Sequence, residues 1–315
     1  MSCFLGLDTS CYTTSLAMAD EDENILLNVQ KPLYVEKGSK GLRQSDGVFQ
    51  HIKNLPDIFS QIRPFAGDIA AVAASACPRP ADVSYMPVFV AGESFAKAAA
   101  HALDAAYIPS THQHGHIYAA MIGNDLREPV FHAIHVSGGT LELLRIAQEN
   151  SIVKDIRLLG GTEDVTAGQL IDRVGVKMGL AFPCGREMEK LAGEAEEPGE
   201  VLSVTVRGTK AHLSGAETES YKLLESGKDI RKVSRAVFRC VSDTLLALAE
   251  NAYRIEKTAC VLFMGGVCSS EFIKDYIVNA LRKKNIKAVF AKKEYAGDNA
   301  CGLAVQAKRI YNMEE

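Results

Sequence analysis

The 315-residue chain has no apolar run long and uninterrupted enough to cross a bilayer, and no signal-peptide pattern at its start. It has no excess of positive charge either. Its 35 Lys and Arg against 39 Asp and Glu give a formal net charge of -4, which argues against a strongly basic nucleic-acid binder. Any RNA contact would then use a local patch or a partner. The nearest thing to a patch, Arg282-Lys283-Lys284 with Lys287, reads as the solvated end of a helix. None of the eight cysteines (Cys3, Cys11, Cys77, Cys184, Cys240, Cys260, Cys268, Cys301) forms a C-x-x-C pair, so they read as reduced, buried thiols. There is no G-x-x-x-x-G-K and no G-x-G-x-x-G, which excludes a P-loop and a Rossmann dinucleotide site. The expectation is a soluble, cytoplasmic protein of one large or two modest domains, with no membrane partner.

What is present is an α/β pattern that occurs twice. Phe4 to Asp8, Thr13 to Ala19 and Ile25 to Val29 alternate as three strands, joined by Thr9-Ser10-Cys11-Tyr12 and by the charged turn Asp20 to Asn24. Lys31 to Gly47 reads as a surface loop. Helices follow at Val48 to Ile62 and Val88 to Leu103, and strands at Ile69 to Ala73 and Ala105 to Ile108. The order then restarts: Val130 to Val136, a Ser137-Gly138-Gly139 turn, Thr140 to Ile146, a polar turn at Gln148 to Asn150, and Ile152 to Leu159. Helices at Thr166 to Met178, Glu187 to Ala192, Lys228 to Arg254, Ser270 to Lys283 and Asn299 to Tyr311 complete the second half. Strands are expected at Val201 to Val206, Cys260 to Met264 and Ala288 to Phe290, with residues 208 to 220 irregular. A repeat on this scale suggests duplication of one α/β unit, giving two lobes with a central cleft. The lobes are expected at 1–128 and 129–315, with the final helix, about 297–315, packing back on the first.

Chemistry concentrates in a few places. His112 and His116 stand four apart at the start of a short helix, on one face, so both imidazoles can reach one metal ion; His114 points elsewhere. Spacing alone equally suits two partly exposed polar side chains. Asp298 lies at a helix N-terminus, where Asp is the expected cap; its functional reading is a third, oxygen ligand. Two histidines and a carboxylate suit Fe(II) or Zn(II) and leave positions open for a substrate. Asp8-Thr9-Ser10, Ser137-Gly138-Gly139 and Gly265-Gly266-Val267 each follow an apolar strand, where small residues let backbone N–H groups approach a phosphate. Asp172, on a helix beside Arg173, would in isolation be a surface ion pair.

Several stretches together resemble the tRNA threonylcarbamoyladenosine transferase family, formerly described as O-sialoglycoprotein endopeptidases, within the actin-like ATPase and sugar-kinase superfamily. Leu5 to Cys11 resembles the family's I-D-T-S-C, Ser94 to Ala98 its S-x-A-K-A, and His112 to His116 its H-x-E-G-H. Val136 to Gly139 resembles V-S-G-G-H-T, Ala167 to Arg173 resembles A-G-E-A-F-D-K, and Gly297 to Ala300 resembles T-D-N-A. The resemblance runs nearly end to end. It implies a metal, Fe(II) or Zn(II), held by His112, His116 and Asp298. It also implies an adenylate, L-threonylcarbamoyl-AMP or ATP, held by His135, Val136, Ser137, Gly138, Gly139, Asp172, Gly185 and Ser270. The implied reaction is acyl transfer to the adenosine beside the tRNA anticodon, with tRNA and the subunits of a threonylcarbamoylation complex as partners.

The chain departs from the family pattern at four places. Cys77-Pro78-Arg79-Pro80 stands where members carry G-P-G-L, and Thr140 follows Gly139 directly. Gln169 replaces the Glu of A-G-E, and Ser270 replaces an Asn. Other readings of the same residues are a non-catalytic scaffold subunit and an ATP-dependent kinase or carbamoyltransferase of the same fold. A H-E-x-x-H metallopeptidase lacks its general base, because Gln113 follows the first histidine.

Overall fold

A computed structural model describes residues 2–10, 12–35, 42–80, 85–196 and 199–314. Cys11 and part of the Lys31 to Gly47 stretch lie outside them. The chain forms two compact units: 1–126 with 150–152 and 292–315, and 127–149 with 153–291.

In the first unit, β1 (Cys3–Ser10), β2 (Thr13–Ala19) and β3 (Ile25–Pro32) form an antiparallel meander. The turn between β2 and β3 is held by Asp20, whose Oδ1 accepts the N–H groups of Asp22 at 2.9 Å and Asn24 at 2.8 Å. α1 (Gln44–Phe59) leads into a 3-10 turn and β4 (Ile69–Cys77), which pairs parallel with β1. α2 (Pro87–Ala102) then crosses to β5 (Ala106–Thr111), parallel to β4. The sheet order is β3-β2-β1-β4-β5. Alternation along β1 divides its side chains between two faces. Leu5 and Leu7 pack with Leu55, Ile58, Ala96 and Ala100 of α1 and α2. Phe4 packs on the other face with Leu303 and Ala307 of the C-terminal helix, Cys301–Glu314. α3 (His112–Met121) continues directly from β5.

The second unit repeats the plan. β6 (Val130–Val136) and β7 (Leu141–Glu149) are antiparallel, and β8 (Ile152–Thr162) follows a two-residue turn in which Asn150 and Ser151 have φ of 50° and 63°. α4 (Ala167–Lys177) and α5 (Gly185–Gly193) come next, then the short strands β9 (Thr205–Arg207) and β10 (Lys210–His212). α6 (Ser214–Glu225) and α7 (Ile230–Ile255) precede β11 (Cys260–Met264), α8 (Glu271–Arg282) and β12 (Lys287–Phe290). The order β12-β11-β6-β7-β8 mirrors β5-β4-β1-β2-β3, and β10-β9 extends it at one edge. β11 runs parallel to both β6 and β12, as β4 does to β1 and β5.

Two expectations need correcting. Residues 208 to 220 are not irregular: they contain β10 and most of α6. The local sequence carries no N-cap for α6. Its first N–H groups, Leu213 and Ser214, are taken by the Asp164 carboxylate at 2.9 and 3.1 Å, from 50 residues upstream. The strand expected over Val201 to Val206 forms only from Thr205, in a hairpin that turns at Gly208 with φ 60°. The seven described cysteines are free thiols, all buried except the partly exposed Cys77. No helix among the described residues is long and apolar enough to cross a membrane.

Candidate functional site

The end of β5 caps α3. Thr111 Oγ1 accepts the His114 N–H at 3.2 Å and lies 2.8 Å from His114 Nδ1, which turns that ring away from its neighbours. His112 and His116 meet edge to face, with ring centroids 4.5 Å apart and their Nε2 atoms 3.0 Å apart. Asp298 Oδ1 stands 3.3 Å from His116 Nε2 and 3.7 Å from His112 Nε2. Asp298 is not the helix cap. Asn299 is: its Oδ1 accepts the Cys301 N–H at 2.9 Å, and its Nδ2 donates to the Tyr295 and Gly297 carbonyls. The Asp298 carboxylate is thereby directed at the imidazoles instead. α3 and the C-terminal helix approach closely because Gly302 lies against Gly115; a Cβ on Gly302 would overlap the Gly115 carbonyl.

These three donor atoms test the metal reading. A point equidistant from corners 3.0, 3.3 and 3.7 Å apart lies about 2 Å from each, the length of a Zn–N or Zn–O bond. The set therefore fits one first-row divalent ion.

Asp8, at the end of β1 and 1% exposed, stands behind His112. Its Oδ1 is 3.1 Å from His112 Nδ1 and accepts from the Ser75 hydroxyl, while Oδ2 accepts the Ser10 N–H at 3.2 Å. Burial works against ionisation of Asp8, but the His112 charge and the hydrogen bonds outweigh it and hold its pKa below the usual value. Burial opposes the His112 cation likewise; Asp8 and Asp298 overcome it and raise His112 to about 9. His114, with only burial acting on it, falls to about 4. In the first of the three small-residue turns the side chains are engaged within this unit. Besides Asp8, Thr9 Oγ1 is engaged with α2, donating to the Val88 carbonyl and accepting the Gly92 N–H.

In the second unit the other two turns lie together. A Cβ on Gly265, which has φ 95°, would overlap the Val136 carbonyl and approach the His135 ring, so the turn after β11 sits against the end of β6. Gly138 and Gly139 are exposed and open above their Cα atoms. Thr166 Oγ1 donates to the Gly138 carbonyl at 2.8 Å and Gly168 abuts Gly138, which ties the turn to α4. Asp172 does not pair with Arg173, which reaches Glu217 at 3.1 Å. Its Oδ1 accepts the Cys184 N–H at 2.8 Å, just before Gly185 opens α5. Burial raises the Asp172 pKa, partly opposed by that hydrogen bond. Ser270 caps α8, accepting the Ile273 N–H at 3.3 Å, and donates to Glu189 Oε1 at 2.7 Å. Glu189 also accepts the Phe272 N–H at 3.0 Å. Sequence reasoning missed Glu189, since a charged residue four after Gly185 on a short helix carries no local signal. Through these contacts the turn after β6, α4, α5 and the start of α8 form one connected group.

The departures have local roles. Gln169 completes a capping box: its Oε1 accepts the Thr166 N–H at 3.2 Å, and Thr166 Oγ1 accepts the Gln169 N–H at 3.1 Å. The Pro78 carbonyl accepts the Gln113 N–H at 3.0 Å, joining the Cys77 to Pro80 stretch to the histidine helix.

The family described as tRNA N6-adenosine threonylcarbamoyltransferase (TsaD) matches residues 66–305, a span that includes both histidines and Asp298. The chain belongs to this family. A relative named tRNA N6-adenosine threonylcarbamoyltransferase, from Thermosipho melanesiensis, is 27% identical over 98% of this chain and 94% of its own length. Among solved structures, the (R)-2-hydroxyglutaryl-CoA dehydratase component A of Acidaminococcus fermentans is similar over 99% of this chain and 100% of its own. Its TM-score is 0.62 at 14% identity. A ROK family glucokinase from Streptomyces griseus is similar over 98% and 100%, with TM-score 0.56 at 12% identity. At such identities these two structures establish the fold alone, that of actin-like ATPases and sugar kinases. The threonylcarbamoyltransferase family is thus built here on a duplicated α/β unit, with the histidine helix in the first copy and the glycine turns in the second.

Proposed function

We propose that this chain is a metal-dependent acyltransferase that moves the threonylcarbamoyl group of L-threonylcarbamoyl-AMP to the exocyclic amine of the adenosine beside the tRNA anticodon. The observation that carries this reading is the convergence of His112 Nε2, His116 Nε2 and Asp298 Oδ1 on one point at metal-bond distance. A divalent ion held there, iron or zinc, supplies Lewis acidity toward the carbamoyl oxygen.

The remaining work falls to the chain. The exposed Gly138-Gly139 turn receives the adenylate phosphate, which gains charge as the C–O bond to AMP breaks. Asp172, Gly185, Ser270 and Glu189 lie on the elements around that turn; Asp172 and Glu189 offer carboxylate groups to the nucleoside, and Ser270 holds Glu189 in place. With a net charge of -4 the chain attracts tRNA weakly by itself, so docking falls to partner subunits of a cytoplasmic complex.

The test is the purified chain, with matched partner subunits, given unmodified tRNA and L-threonylcarbamoyl-AMP, followed by mass analysis of the tRNA nucleosides. Threonylcarbamoyl-adenosine is expected from the wild type and not from His116→Ala. One observation favours a scaffold instead: the Ser270 hydroxyl is already committed to Glu189 and to its helix. A wild type that binds tRNA and metal but yields no modified nucleoside would establish that second reading.

A further inference from the structure

The Asp8 carboxylate is buried, uses both oxygens, and belongs to neither the metal triangle nor the adenylate group. An ionised carboxylate only accepts hydrogen bonds. Its contact with His112 at 3.1 Å therefore places the imidazole proton on Nδ1. In a neutral ring the lone pair is then on Nε2, the atom that faces His116 Nε2 at 3.0 Å and Asp298 Oδ1 at 3.7 Å. We propose that Asp8 is the positioning residue of the metal centre: it fixes the tautomer and ring orientation of His112 so that Nε2 is the metal-binding nitrogen. The inference rests on the metal reading given above and deepens it.

The alternative is that Asp8 and His112 form a buried ion pair whose only role is to hold the fold. Two features separate the readings. Asp8 is itself anchored from two directions, by the Ser75 hydroxyl on β4 and by the Ser10 N–H on its own strand, so its oxygen is fixed before the histidine is considered. The ring nitrogen it binds is also the one remote from Asp298, which leaves the other nitrogen turned into the triangle. A carboxylate that grips one nitrogen of a ligating histidine raises the basicity of the other, and loss of such partners typically lowers metal affinity about 10- to 100-fold.

The experiment uses zinc alone as the probe. Metal-free wild type, Asp8→Asn and Ser75→Ala are titrated with Zn(II) against a chromophoric chelator at one pH, with circular dichroism reporting folding. Histidine 15N shifts are recorded for each metal-free protein at a pH high enough for the His112 ring to be neutral. The wild type is expected to bind one zinc per chain and to show His112 protonated at Nδ1. Asp8→Asn is expected to bind zinc about 10- to 100-fold more weakly and to lose the Nδ1-protonated signature. Ser75→Ala keeps the carboxylate and should show a smaller loss. Asp8→Asn that is folded and binds zinc as tightly as the wild type overturns the proposal while leaving the metal site standing. So does a wild-type His112 whose proton resides on Nε2, a result that decides the matter even if Asp8→Asn fails to fold. A wild type that binds no zinc removes the metal reading and this inference together.

Discussion

The geometry of the candidate triangle, His112, His116 and Asp298, rests on Gly302, whereas Gly115 opposite it has room for a side chain. A methyl group on Gly302 would overlap the Gly115 carbonyl and crowd the Ala119 nitrogen, so α3 and the C-terminal helix would have to move apart. A methyl on Gly115 meets only Leu303 side-chain atoms at 3.4 to 3.9 Å, an ordinary contact. Gly302→Ala should therefore cost about 1–3 kcal/mol of stability, the usual range for overpacking, and weaken zinc binding by displacing Asp298. Gly115→Ala should leave stability within about 1 kcal/mol of the wild type and zinc binding unchanged. Urea unfolding and zinc titration of both variants check this, and equal losses from the two would refute the packing argument. At this scale the histidine pair was legible from spacing. Asp298 was named from the sequence as well, as the carboxylate of a T-D-N-A-like stretch; what the sequence left hidden is that the Asn299 side chain, and not Asp298, caps the helix, because both residues are competent caps.

Elements were legible where their stabilising contacts are local. The meander strands carry their own alternation, and α4 carries its capping box in Thr166 and Gln169. α6 was missed because its cap is remote: Asp164 binds the Leu213 and Ser214 N–H groups and the Ser214 hydroxyl, the last at 2.6 Å. Burial tends to raise the Asp164 pKa, but these donors hold it down at about 2, so the carboxylate remains ionised and able to cap throughout the neutral range. Asp164→Ala should cost about 1–2 kcal/mol, the upper part of the range for a lost cap. It should also speed hydrogen exchange in the first turn of α6 specifically. Unchanged exchange there would show that α6 is held by packing alone. Glu189 escaped notice for a related reason, since the groups it binds, Ser270 and Phe272, belong to another helix.

On the scale of the whole molecule, each unit buries one fully shielded histidine outside the candidate site. His51 in the first unit has Nδ1 2.9 Å from Thr14 Oγ1, and His132 in the second has Nδ1 2.9 Å from Thr258 Oγ1; both are 0% exposed. Burial lowers the pKa of each, against the attraction of Asp8 for His51 and of Glu256 for His132. The sign follows from proton counting. As pH falls below about 6.5 the unfolded chain protonates these histidines while the folded chain does not, so the unfolded state gains and stability falls. The loss continues until pH reaches the depressed folded pKa values, with a slope of at most about 1.4 kcal/mol per pH unit for each histidine. Because both units carry such a group, the duplicated fold has no half that escapes acidification. Thermal unfolding of the protein in chelator, which removes metal competition at His112, should give a Tm that declines below about pH 6.5. The doubly substituted His51→Gln, His132→Gln chain should be less stable at neutral pH, where it lacks the shape of the native rings, yet show a shallower decline between about pH 6.5 and 5. An acid limb equally steep in that variant would assign the decline to other groups, since the two imidazoles would then have no part in it.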